Sequence, residues 1–275
     1  MSSPILEPFT LSLLLVLTAA MPVIGVWDYR RFVRGLSEGR KNARLETYLW
    51  AIALQWILTL GFLAWWFLSG GELAPLRLRP VAQGWQWLAI AAGLAALAAI
   101  VLQTATVLRS PQKLEQVRDQ AGELSQIAPR TPAEARVFTL LSLTAGICEE
   151  ILYRGLLLAV LTVAVGTWPA VVLSTAVFGL GHAYQGWLGI GKTSAVGLAL
   201  ALLAIGSGSL FLPIVLHAVG DLTGGLMMSA AVGFMALLCL LAGLAFPLIV
   251  SFIINPAVVA LANGVNYGRM IAGVR

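Results

Sequence analysis

Residues 148–155 read Cys148-Glu149-Glu150-Ile151-Leu152-Tyr153-Arg154-Gly155. They sit inside VFTLLSLTAGICEEILYRGLLLAVLTVAV, an apolar run from Val137 to Val165 that is long enough to cross a bilayer as a helix. Three charges there are expensive: insertion scales put each at about 2.5–3.5 kcal/mol near the bilayer centre. Such residues face the bundle interior, find partners and mark functional sites. The stretch therefore predicts a membrane helix with a polar site built into it.

The rest of the chain supports the membrane reading. Hydrophobic residues make up 59% of it and charged residues 11%, where soluble domains carry about a quarter charged. Mean hydropathy is +0.90. Apolar runs predict eight spans, near 9–27, 47–69, 85–108, 137–163, 167–184, 192–206, 209–229 and 232–254. The sixth can extend back across Lys192, whose stem can snorkel. Trp27, Trp50, Trp65, Trp66, Trp85 and Trp87 fall near predicted span ends, where interfacial aromatics belong. The expected fold is all-α, a polytopic bundle of about eight transmembrane helices.

The first span lacks the preceding basic stretch of a cleavable signal peptide. Its basic residues follow instead: Arg30, Arg31, Arg34, Arg40, Lys41 and Arg44. With Arg109, Lys113, Arg118, Arg130 and Arg136 in the third loop, they predict cytoplasmic loops one and three and an N-out, C-out topology. Loop two carries only Arg77 and Arg79, while Arg269 and Arg275 in the tail pull the other way. The net charge of +5 thus describes loops, not a nucleic-acid footprint. Cys148 and Cys239 lie within spans and form no disulfide framework.

In loop three, Leu114, Val117, Ala121 and Leu124 follow helical spacing, which fits either a short amphipathic surface helix or a solvated loop. Thr131-Pro132-Ala133-Glu134 then reads as a capping-box start. The fourth helix is expected to begin near Pro132 and to run unbroken past Arg154.

Ionisable residues at membrane depth number few: Glu149, Glu150 and Arg154 in helix four, His182 in helix five, His217 and Asp221 in helix seven. Glu150 and Arg154 are i and i+4, so they share a face and can pair as a buried brace. Glu149 points about 100° away from Glu150. A carboxylate free of the arginine suits general-base work; its alternative is a further hydrogen-bonded polar contact. His217 and Asp221 also share a face. A lone histidine is more often a satisfied core residue. Two of them, with carboxylates on partner helices, predict one shared site.

Three motifs in order resemble the CPBP group, the CAAX-protease and bacteriocin-processing intramembrane proteases, also termed the Abi family. EEILYRG is similar to its Glu-Glu-x-x-x-Arg motif, FGLGH to Phe-x-x-x-His, and HAVGD to His-x-x-x-Asn/Asp, over about 131–225. Asp221 stands where the prenyl-protease branch more usually has Asn. The expected organisation is helices 1–3 with basic cytoplasmic loops over 1–130, merely compatible with that family, a catalytic core of helices 4–8 similar to it over 131–254, and a tail over 255–275.

The resemblance implies peptide-bond hydrolysis in the membrane. Glu149 and His182 would activate a water, and His217 with Asp221 would hold the oxyanion. An ionised Asp221 cannot donate to an oxyanion, so it is expected to orient His217. The favoured chemistry needs no cofactor. Zinc held by Glu149, His182 and His217 is the alternative, without the usual His-Glu-x-x-His helix. The implied partners are the lipid bilayer and a membrane-associated peptide, of CAAX or bacteriocin type, cleaved near the cytoplasmic side. The alanine-rich chain and its lack of sorting signals suggest a bacterial or archaeal plasma membrane, where prenylated substrates would be unusual. Two other functions are open: a non-catalytic scaffold or immunity protein, and a proton-coupled transporter, since buried Glu and His also build proton relays.

Overall fold

A computed structural model describes residues 6–78 and 86–229, all within one unit, Met1–Val232. The eighth expected span and the tail, with Cys239, Arg269 and Arg275, lie outside the described residues, as do Arg79 and Trp85. The described secondary structure is helical throughout.

Helix α1 runs from Leu6–Leu15 through a π turn, Val16–Ala20, into Met21–Ser37. The π turn precedes Pro22, whose ring crowds the turn before it and which has no amide hydrogen to donate. Arg30, Arg31 and Arg34 are therefore helical, not loop residues; Asp28 and Arg31 pair at 2.8 Å along this helix. Gly39, at φ +73°, ends it in a left-handed cap where Arg40 N donates back to Gly35 O and Gly39 N to Leu36 O.

Helix α2 is Ala43–Leu68 and α3 is Gln86–Leu108. Loop three does form a surface helix, α4, Pro111–Ala121, capped by Ser110. Helix α5 starts with the expected capping box: the Thr131 hydroxyl accepts from Glu134 N, and the Glu134 carboxylate accepts from Thr131 N at 3.1 Å. It continues as Pro132–Glu149, a π segment Glu150–Leu157 and Leu158–Val165, about 50 Å in all. Then come α6, Thr167–Gly181, α7, Gly186–Ser207, and α8, Phe211–Met228. Lys192 lies inside α7, as the extended reading of span six expects.

Seven of the eight predicted spans thus fall on described helices. Among the described residues, four helical stretches are long and apolar enough to cross a bilayer, Pro8–Ser37, Ala43–Leu68, Gln86–Leu108 and Ala183–Ser207; Thr167–Gly181 and Phe211–Gly225 are shorter apolar helices. Polarity is inside out relative to a soluble protein: Val163 is 84% exposed and Glu150 0%. Trp27, Trp50, Trp65 and Trp87 are exposed, Trp65 and Trp87 near helix ends but Trp27 and Trp50 two turns or more inside α1 and α2, while Trp66 turns inward and donates to Glu72 O at 3.0 Å.

Two packings set the site. Tyr48 meets Phe138 (ring centroids 5.4 Å), Trp56 donates to Thr144 at 3.2 Å, and Gln55 donates to Glu149 at 3.3 Å. Rising numbers on α2 meet rising numbers on α5, so these helices run parallel, with α3 as the return crossing. On the other side, Gly146 of α5 lets α8 approach: a Cβ there would overlap Ala218 and the Ile214 carbonyl. That close approach brings His217, one residue before Ala218, to the level of the glutamates.

Candidate active site

The π segment begins at Glu150, immediately after Glu149. Wide turns of this kind recur at functional sites because they displace side chains from regular helical register.

Glu150 is fully buried. Its Oε1 accepts from Arg154 Nη1 at 2.7 Å, the predicted brace. The same oxygen accepts from His217 Nδ1 at 2.8 Å. An ionised carboxylate only accepts, so His217 Nδ1 carries the hydrogen and Nε2 is the nitrogen left for other groups. Arg154 also donates to Gly197 O of α7 at 3.0 Å and lies 4.0 Å from the centre of the Phe178 ring. Gly197 needs to be glycine here, since a Cβ would press on Phe178 and the guanidinium.

Phe178, the first residue of FGLGH, is therefore a hub. Its ring meets Tyr153 at 5.1 Å, His182 at 5.0 Å and His217 at 5.8 Å, besides Arg154. Its carbonyl takes the hydrogen of His182 Nδ1 at 3.0 Å. The carbonyl can only accept, so Nε2 is again the open nitrogen.

Glu149 is placed differently. Oε1 accepts from Gln55 at 3.3 Å, while Oε2 has no hydrogen-bond partner among the described residues. That second oxygen is 3.9 Å from His217 Nε2, and Asp221 Oδ2 is 3.7 Å from the same nitrogen. Both distances exceed a hydrogen bond. The residue that grips His217 is thus Glu150, not Asp221, despite the i, i+4 spacing of His217 and Asp221.

Glu149, His182 and Asp221 all line one cavity of about 470 Å³. Along α5 its wall extends from Phe138 to Tyr153, roughly 22 Å of helix. It reaches Ala121, Leu124, Ile127 and Ala128 in the basic third loop, and α1 and α2 supply much of the remaining lining. That loop is tied down by Tyr48, whose hydroxyl donates to Ile127 O, and by Arg44, whose Nε donates to Gln126 O at 2.9 Å.

Glu149, Glu150, Arg154, His182, His217 and Asp221 are all brought to this one region. Sequence reasoning missed Gln55, because only ionisable groups were counted at membrane depth. An amide inside AIALQWILTL was the available signal. As for metal, no three His, Cys, Asp or Glu side chains among the described residues are grouped as a metal ion would need.

An all-helical membrane protein with buried carboxylates and imidazoles around an internal cavity is the class that fold and site define. A family model, the type II CAAX prenyl endopeptidase Rce1-like domain, matches residues 131–223, and this is the segment that carries the three motifs. Over those residues the chain is similar to that endopeptidase family, in agreement with the CPBP resemblance. No curated protein and no solved structure matches the chain.

Proposed function

We propose that the protein is an intramembrane endopeptidase of a membrane-anchored, CAAX-type peptide, with Glu149 as the general base. The observation that carries this reading is the shared cavity: Glu149, His182 and Asp221 line it, and His217 Nε2 stands 3.9 Å from one carboxylate and 3.7 Å from the other.

In the proposed reaction a water rests against Glu149 Oε2 and His182 Nε2. Its oxygen attacks the scissile carbonyl carbon, and its proton passes to Glu149. The carbonyl electrons move to oxygen, and the resulting oxyanion faces His217 Nε2, which donates to it when protonated. The intermediate collapses with cleavage of the C–N bond, and Glu149 hands the proton to the departing amine. Glu150 holds the His217 Nδ1–H and so fixes the ring with Nε2 turned toward the oxyanion. Asp221, on the cavity side of that imidazole, stabilises its protonated form by charge. This chemistry runs through water and side chains.

The bilayer is proposed to be a plasma membrane, with the basic-loop end of the cavity toward the cytoplasm and helices beyond 130 forming the catalytic core. The decisive experiment compares membrane proteomes of cells expressing wild type or Glu149→Gln. An uncleaved membrane-anchored protein is expected to accumulate only with the variant, while the variant folds normally. Identical proteomes would remove the protease reading; retained phenotype would favour a scaffold, and loss of proton coupling a transporter.

A further inference from the structure

Gln55 belongs to α2, a helix outside the segment that matches the protease family. Its Nε2 donates to Glu149 Oε1 at 3.3 Å. The amide is oriented by chemistry: an ionised carboxylate oxygen only accepts, so the NH2 end must face it. Two acceptors remain, Gln55 Oε1 and Glu149 Oε2. Both are buried, and neither has a hydrogen-bond partner among the described residues. Both residues line the same cavity. Buried acceptors without donors are uncommon in folded proteins, and a donor with two hydrogens in the shared cavity would satisfy both.

Docking of α2 on α5 does not account for the amide. Trp56 to Thr144 and Tyr48 against Phe138 already join these helices on either side of it. A leucine in place of Gln55 would suit an apolar helix better if packing were the only demand.

We infer that Gln55 is a positioning residue of the site: its amide nitrogen holds one oxygen of Glu149, and its carbonyl holds the water that Glu149 activates. A water has two O–H donors. One points to Glu149 Oε2 and is transferred when the water attacks. The other points to Gln55 Oε1 and stays on the new carboxyl group formed at the scissile carbon. With both hydrogens so directed, one lone pair can accept from His182 Nε2 when that imidazole is protonated, and the other is left to face the substrate. The water step rests on the endopeptidase reading above; the grip on Glu149 does not.

The test uses the full-length protein in nanodiscs, with Gln55→Leu and Gln55→Met as variants of similar volume. Infrared difference spectra first assign the Glu149 carboxylate stretch as the band lost in Glu149→Gln. That band is expected to shift in both Gln55 variants; an unmoved band overturns the inference. Kinetics on a farnesylated CAAX-type peptide follow. Both variants are expected to lower kcat roughly 10–100-fold with KM within about twofold, since they disturb the reacting water and not peptide binding. Unchanged kcat overturns the water-holding role. A rise in KM alone makes Gln55 a substrate-binding residue and also overturns it. Absence of cleavage by wild type removes the CAAX-type endopeptidase reading and the water step that rests on it, an outcome separate from the infrared result.

Discussion

Glu149 and Glu150 are neighbours in sequence with opposite surroundings. Glu150 is joined to α7 and α6 through Arg154 and to α8 through His217, at 2.7 and 2.8 Å, with no exposed surface. Glu149 has one amide contact at 3.3 Å and an oxygen without a hydrogen-bond partner among the described residues, against a cavity. Each carboxylate keeps a buried Oε2 without a partner among the described residues, so the contrast lies in what holds Oε1 and in what the group faces. Of the two, Glu149 is the one that lines the cavity. A carboxylate that already accepts from a guanidinium and an imidazole is committed to structure; one held by a single amide beside a cavity can meet a water and take its proton. The same side-chain chemistry thus serves as a brace and as a candidate base, because the partners differ.

The largest effect that would sharpen this contrast is on catalysis. Glu149→Gln is expected to lower kcat by roughly 10²–10⁴-fold while leaving thermal unfolding in detergent unchanged. Next is stability on the braced side. Arg154→Leu strands a buried carboxylate and is expected to cost about 3–5 kcal/mol, read as a lower unfolding midpoint. Adding Glu150→Gln should recover part of that stability without restoring cleavage, because His217 would still lack its ionised anchor. Full recovery of activity in the double variant would show that the brace and the site are independent.

A smaller effect distinguishes the roles of Asp221. Because it lies 3.7 Å from His217 Nε2 and makes no hydrogen bond to it, Asp221 acts by its charge, so Asp221→Asn and Asp221→Ala should lower activity to a similar extent. Equal activity for the three proteins would remove Asp221 from the mechanism. The smallest expected effect is that of strong chelation: cleavage by purified protein should not change. Loss of activity restored by zinc would replace the water-and-side-chain chemistry with metal chemistry.

Some of this site was readable from spacing. The Glu150–Arg154 pair follows from i, i+4 geometry, and the capping box at Thr131 from its residue types. The amphipathic helix in loop three was one of two readings that its periodicity allowed. The shared location of the two histidines was an expectation from their cost in a membrane. Other features were not readable. The contact between Glu150 and His217 joins residues 67 apart, and that between Gln55 and Glu149 joins residues 94 apart. The π segment changes the angle between successive side chains, so a wheel drawn on regular α-helix geometry could not tell which glutamate meets His217.

The sequence by itself determined that the chain is helical, that it lives in a bilayer, and that its rare polar groups must find one another, since the cost of a lone charge in lipid is set by residue type and local run length. Only the tertiary structure decided which oxygen meets which nitrogen. Those pairings depend on how closely helices approach at Gly146 and Gly197 and on the wide turn at Glu150, and such distances are properties of helix packing that no local pattern encodes.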